Sequence, residues 1–281
     1  MRALDHCLFN TREIELWPAR LLRARRSADA RALARARWVL RRKRDGAYLA
    51  ADLPEALLPL LPRLRHEPGL NEALALLEWM GTSRRASIAV LDAPLSTDGV
   101  EQELERLGVG ADYVGRTGLA LVPEPGMLTL AGFDRYRRAL WLQASAAAAW
   151  MRMRAAALRD GIALEAISGY RSHAYQLGIF RRKLARGLSL AQILEVNAAP
   201  GYSEHHSGCA LDIGTPGEPP AEESFERTPA FDWLMRNAGE FGFVLIANFF
   251  VWLLFYLFTD RITVYHPELS PARHYRNMLR Q

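Results

Sequence analysis

Cysteine is almost absent. Cys7 and Cys209 stand alone in 281 residues, so no disulfide framework can carry the fold and a hydrophobic core must supply its stability. The pattern of a secretory leader is also missing. The opening stretch MRALDHCLFNTREIELWPARLL has no basic start followed by an apolar run of about 7–15 residues, so export by a cleaved signal peptide is not expected. No internal repeat is visible. Charge of one sign is not general: the net charge is +5, but residues 20–44 hold eleven Lys/Arg against Asp29 alone, and the rest of the chain is net negative. The basic balance therefore gives no general argument for nucleic acid, and no nucleic-acid partner is expected. Half the residues are apolar and 24% are charged, which excludes wholesale disorder, collagen and a coiled-coil rod. Long apolar runs are absent with one exception. Phe243–Phe258 reads FVLIANFFVWLLFYLF, sixteen residues with Asn248 as the polar interruption. That falls just short of the roughly 17–25 residues of a membrane span, and membrane contact through 243–258 is the expectation for localisation.

Residues 1–125 read as a small mixed α/β module without a recognisable chemical motif. Within it, the Ala/Arg/Leu-rich stretch 18–44 predicts a basic helix ended by Asp45-Gly46. Such a helix is more often a solvated basic face than a surface for an anionic partner. Residues 54–80 predict two short helices around Pro62 and Pro68-Gly69. Ala86–Leu91 and Gly118–Val122 predict strands, with a helix between them from Thr97 to Leu107 that Gly108 closes. Pro123-Glu124-Pro125-Gly126 is a turn and a plausible boundary. Residues 126–245 follow as a second unit. A long Ala-rich helix is expected from about Ala131 to Asp160, then a strand at Leu164–Ile167. Helices capped by Ser172, Ser189 and Thr228 come next, with a strand at Cys209–Ile213 before the last of them. Residues 246–281 form the apolar run and a divergent tail.

Chemistry concentrates in two stretches. One is Ser168-Gly169-Tyr170-Arg171-Ser172, with Gln176 a helical turn later. The other runs from Pro200 to Ile213 and contains His205 and Asp212 seven residues apart, with Gly208 and Ala210 between them. Small residues let the chain turn tightly and return the carboxylate beside the imidazole. One nitrogen and one oxygen donor suit catalytic zinc, which takes a third protein ligand and keeps one position for water. An isolated His/Asp pair is more often a hydrogen-bonded structural pair, so the surrounding pattern matters. That pattern resembles the VanY-like D-alanyl-D-alanine carboxypeptidases and D-Ala-D-Ala dipeptidases, zinc peptidases of the bacterial wall. Their S-x-H-x-x-G-x-A-x-D is met by Ser203, His205, Gly208, Ala210 and Asp212, and their S-G-Y-R-S by Ser168 to Ser172. The helix that follows and FDWLMRNAGEFGFVL at 231–245 are also similar, so the resemblance covers about residues 130–245.

The resemblance implies an α+β fold, a small antiparallel sheet with helices packed on one side and the metal at its end. It implies Zn2+ held by His205 and Asp212, with Arg171 on the peptide carbonyl or developing oxyanion. Gln176 and Ser203 would hold the substrate. The partner would be a peptidoglycan stem peptide ending in D-Ala-D-Ala. His206 reads as a bystander and Cys209 as a small core residue. The family closes its site with E-P-W-H-W-R, whose Glu is the general base and whose His is the third ligand. That motif is absent here. Val264-Tyr265-His266-Pro267 offers one partial register, with His266 in place of the Glu. His274-Tyr275-Arg276 offers another, with Glu268 as nearest acid. Replacement of the native end by unrelated sequence is the third explanation. Of the first two, His274 as third ligand with Glu268 as substitute base is preferred, because aromatic and basic neighbours follow His274. The activity expected is zinc-dependent removal of terminal D-alanine, impaired by the divergent end; the alternative is a non-catalytic protein that binds the same peptide.

Overall fold

The computed structural model describes residues 2–24, 27–82, 91–219, 223–247 and 262–265. The fold is α+β, and among the described residues every strand pairing is antiparallel. The first sheet is built from β1 (Cys7–Asn10), β2 (Ile14–Pro18), β3 (Trp38–Arg42), β4 (Tyr48–Asp52), β5 (Leu57–Pro59), β6 (Met127–Phe133) and β7 (Ala139–Leu142). Its order is β5-β4-β3-β2-β1-β6-β7, so strands from the first 60 residues and the hairpin of residues 127–142 share one sheet. The second sheet contains β8 (Glu165–Ser168), β9 (Ala210–Gly214), β10 (Val244–Ala247) and β11 (Ile262–Tyr265), in the order β10-β11-β9-β8.

The helices are α1 (Ser27–Arg35), α2 (Leu70–Thr82), α3 (Val100–Leu107), α4 (Tyr113–Thr117), α5 (Ala144–Arg159), α6 (His173–Ala185), α7 (Leu190–Val196) and α8 (Pro229–Asn237). Helix α5 presents Ala146, Ala149, Trp150, Met153 and Ala157 at helical spacing to a core shared with Leu211, Ile213, Trp233, Leu234 and Phe243. The alanines admit close approach, and Trp150, 1% exposed, fills the space between the layers. A separate cluster around Phe9, Ile14, Leu16, Trp38 and Leu40 packs against α2.

The structure alters several sequence expectations. The basic helix over 18–44 is confined to α1. Trp38, Val39 and Leu40 are buried in the middle of the first sheet, where aromatic and branched side chains outweigh the helical preference of the surrounding Ala and Arg. The charges of this stretch meet acids drawn from elsewhere: Arg41 with Glu15, Arg42 with Asp45 and Glu67, Arg44 with Glu67, and Arg35 with Glu55. The helix expected from Ala131 begins at Ala144, because residues 127–142 form the β6–β7 hairpin. Arg137 lies in its turn at φ +62°, and Gly132 at φ +105° sits in β6 at the register shift between Leu130 and Phe133. Residues 54–80 give β5, a single 3-10 turn at Leu64–His66 and α2 in place of two helices. Gly118–Val122 is not a strand; Val122 makes one backbone bond, to the Gly201 carbonyl. The strand expected at Ala86–Leu91 lies outside the described residues except for Leu91. Helices α6, α7 and α8 start where expected, with Ser172, Ser189 and Thr228 accepting from the backbones of Tyr175, Gln192 and Phe231.

The membrane expectation is overturned. Among the described residues no helix is long and apolar enough to cross a membrane. The start of the apolar run is strand β10, whose backbone bonds to β11 in the register Val244↔Tyr265 and Ala247↔Ile262. Backbone hydrogen bonds committed to a neighbouring strand cannot also close a spanning helix. Residues 248–258 lie outside the described residues.

Candidate active site

The two motifs meet at the junction of β8, β9 and the start of α6. His205 sits in a short 3-10 turn, Glu204–Ser207, that Ser203 opens and Gly208 closes at φ +71°. A Cβ at Gly208 would lie 2.6 Å from Leu128 Cδ2 and 3.3 Å from the Gln143 amide, so both conformation and space require glycine. The chain then enters β9, which carries Asp212 back beside the turn. His205 Nε2 and Asp212 Oδ1 are 3.4 Å apart, and both residues are buried.

Each side chain is held on its far side. His205 Nδ1 lies 2.7 Å from the Gly169 carbonyl. A carbonyl only accepts, so Nδ1 donates to it and Nε2 is the ring atom that faces Asp212. Ser168 Oγ donates to Asp212 Oδ2 at 2.7 Å. The first two residues of S-G-Y-R-S thus orient the two would-be ligands, an arrangement typical of metal-binding His and carboxylate groups. Burial would raise the Asp212 carboxyl, but His205, Ser168 and Arg171 together hold it well below the ordinary carboxylate range.

Two lone-pair donors facing each other in a buried site require a cation between them, either a proton or a metal ion. Tetrahedral zinc with bonds of about 2.0–2.1 Å sets neighbouring donors roughly 3.3–3.4 Å apart, so the pair fits its bite. Among the described residues no group of three His, Cys, Asp or Glu side chains is gathered for a metal. His274 and Glu268 lie outside the described residues, as does His266. The nearest described part of the tail is β11, which pairs Thr263 with Asp212 and Tyr265 with Ala210.

Arg171 follows directly. Its amide donates to the His205 carbonyl at 3.1 Å, and its Nη1 donates to Gln176 Oε1 at 2.8 Å. Gln176 is 1% exposed and its amide nitrogen donates to the Ala198 carbonyl, so it serves as a fixed rest for the guanidinium. Ser203 is buried, two residues before His205.

Three residues that the sequence reading passed over take part. His206 is no bystander. It is fully buried, with Nδ1 2.6 Å from the Arg171 carbonyl and Nε2 accepting from the Gly201 amide at 3.0 Å. Burial, with His173 and Arg171 nearby, depresses its pKa well below the usual value and keeps it neutral. Glu204, half-buried, is close enough to the cluster that burial and Asp212 push its carboxyl up against the pull of His205 and Arg171. Glu124 accepts from Lys43 Nζ at 2.6 Å, from the Tyr170 hydroxyl, and from the His173 amide at 2.9 Å. Its only sequence signal was an acid inside a Pro-Glu-Pro turn. Cys209 is fully buried and its thiol is pushed up to about 12 by burial, as suits an inert core residue.

Residues 139–248 match the family model described as "VanY: D-alanyl-D-alanine carboxypeptidase". Over these residues the chain is similar to the VanY carboxypeptidases. The "Putative carboxypeptidase YodJ" of Bacillus subtilis is 34% identical over 115 residues, which is 40% of this chain and 41% of that one. The "Bifunctional D-Ala-D-Ala dipeptidase and D-Ala-D-Ala carboxypeptidase VanXYC" of Enterococcus gallinarum is 32% identical over 126 residues, 43% of this chain and 64% of that one. The chain thus spans less than two thirds of the length of either relative. A vancomycin resistance D,D-pentapeptidase VanY, solved in complex with Zn(II), is 29% identical with a TM-score of 0.30, covering 37% of this chain and 61% of that one. The VanY match starts at β7 and ends just past β10, so it contains both motifs and leaves residues 1–138 outside.

Proposed function

We propose that the VanY-type region is a zinc-dependent carboxypeptidase site for peptidoglycan stem peptides ending in D-Ala-D-Ala. The observation that carries this reading is the buried His205–Asp212 pair, 3.4 Å apart, with His205 Nδ1 and Asp212 Oδ2 tied on the far side and Nε2 and Oδ1 facing each other across the distance two zinc ligands need. His205 and Asp212 would hold zinc, with His274 as third ligand. Bound there, zinc would supply Lewis acidity and a water acidic enough to attack near neutral pH. Arg171, permanently charged and propped by Gln176, binds the scissile carbonyl and the negative charge that develops on it. Gln176 would act on the peptide through Arg171, and Ser203 through the buried turn that it opens before His205. Glu268 would take the proton from the attacking water, and a misplaced base would lower turnover by ~10²–10⁴-fold.

The absence of E-P-W-H-W-R favours a second reading, a peptide-binding protein without turnover. One experiment separates them. The purified full chain is assayed for bound zinc and for D-alanine released from a D-Ala-D-Ala peptide, alongside His205→Ala and Asp212→Ala. One zinc per chain with release that both variants abolish supports the enzyme. Peptide binding with neither zinc nor release supports the binder. Neither binding nor release refutes both.

A further inference from the structure

Outside the His205–Asp212 pair, an unusual group among the described residues is Lys43. It sits in the turn between β3 and β4 and is 1% exposed, an ammonium taken wholly out of water. A buried lysine is tolerated where it is paired and hydrogen-bonded. Its partner is Glu124, 81 residues away and itself buried. Burial alone would raise the Glu124 carboxyl, but Lys43 and the donors around it hold it below its ordinary value, so the carboxyl is ionised.

Glu124 uses its remaining capacity on one target. Oε2 accepts from the Tyr170 hydroxyl and Oε1 from the His173 amide. Those two residues flank Arg171 and Ser172. His173 Nε2 meets the Val122 carbonyl at 2.8 Å, and its ring packs edge-to-face on His206 at 4.4 Å. His206 in turn binds the Arg171 carbonyl. The strap 122–126 is fixed at both ends, by Val122 N to Gly201 O at 2.8 Å and by Gly126 to Ala93 and Asn10. Arg171 is therefore gripped from both sides in sequence by groups that converge on one carboxylate.

We propose that Glu124, charged against Lys43, is a positioning residue for Arg171, and that residues 1–138 thereby complete the peptide-holding loop of the VanY region. Part of this rests on the function proposed above, since Arg171 matters only if the loop holds a peptide. The positioning itself does not depend on it.

The test uses the full chain with Glu124→Gln, which keeps shape and loses charge, Lys43→Met, and Tyr170→Phe, which removes one donor without changing any charge. Two quantities are read: hydrogen exchange of the Arg171 and His173 amides, and affinity for a D-Ala-D-Ala peptide. Loss of a charge-assisted bond should reduce protection at those two amides by roughly tenfold to a hundredfold in Glu124→Gln, while amides of α5 keep theirs. Peptide affinity should fall with it, and Tyr170→Phe should move both in the same direction by less. If Glu124→Gln or Lys43→Met does not fold, Tyr170→Phe alone decides. Unchanged protection at Arg171 and His173, or a loss spread equally over α5, overturns the positioning role. A wild-type chain that ignores the peptide overturns the proposed function, and the exchange data then still decide whether Glu124 sets the loop.

Discussion

His206 links the acidity of the medium to the stability of the fold. In the folded chain its ring donates to the Arg171 carbonyl and accepts from the Gly201 amide, so both nitrogens are committed to the neutral form. Protonation would remove the acceptor and leave a cation buried beside Arg171 and His173. Its folded pKa accordingly lies well below the unfolded value of about 6.5. The sign follows from proton counting. Below about 6.5 the unfolded chain binds a proton that the native state refuses, so the contribution is intact above that pH and lost as pH falls toward the folded pKa. Each pH unit in that window costs about 1.4 kcal/mol, so one unit below, near pH 5.5, stability should be lower by about that amount. The control is His206→Gln, whose amide offers one donor and one acceptor but does not titrate. Urea unfolding of both proteins at pH 7.5 and near pH 5.5 gives the difference. The wild type should lose about 1.4 kcal/mol more than His206→Gln across the interval. Parallel losses in the two proteins would refute the assignment of a neutral, depressed histidine.

Arg171→Ala should melt close to wild type, because its guanidinium is only half-buried, yet lose on the order of 2–5 kcal/mol of affinity for a D-Ala-D-Ala peptide by calorimetry. Unchanged binding would remove Arg171 from the site. Gly126→Ala should destabilise by about 2–3 kcal/mol in chemical denaturation, since the new Cβ would lie 2.4 Å from the Leu91 carbonyl oxygen and 2.6 Å from that of Ala93, both backbone atoms. A neutral effect would mean that the strap is looser than its contacts indicate. Thr228→Ala removes the hydroxyl that accepts from the Phe231 amide and donates to the Phe225 carbonyl, and should cost ~1 kcal/mol, read as a lower midpoint in urea.

The second half of the fold was legible because its signals are local. Ser172, Ser189 and Thr228 mark helix starts through bonds spanning three residues, and the strand read at Cys209–Ile213 is found as β9, although every one of its residues is buried. The first sheet was harder. Trp38-Val39-Leu40 reads as the tail of an Ala/Arg helix until β2 and β4 flank it, and β6 pairs with β1 across some 120 residues. The site divides the same way. His205, Asp212 and Arg171 were picked out by pattern and the structure brings them together, while the contacts of Gly208, Ser168 and Gly169 follow from spacing and turn geometry once the pair is placed. Glu124 and Lys43 were not identifiable, since each is an ordinary charged residue until the fold removes both from water. His206 was misread because adjacent residues normally face opposite ways. A 3-10 turn allows both imidazoles inward, onto different partners.

The pairing of β1 with β6 sets Cys7 opposite Thr129, Leu8 opposite Leu128 and Phe9 opposite Met127. A break in the chain near Gly126, inviting because of its prolines, would therefore open a seam down the middle of a sheet. Each piece would carry a newly exposed, apolar strand edge with unmet backbone donors and acceptors, the feature that drives strands to associate edge to edge. Leu8 and Leu128, both fully buried, would face water on opposite pieces. The two pieces supplied together should therefore recognise each other through the missing strand, in the manner of fragment complementation, and separately each should be prone to self-association.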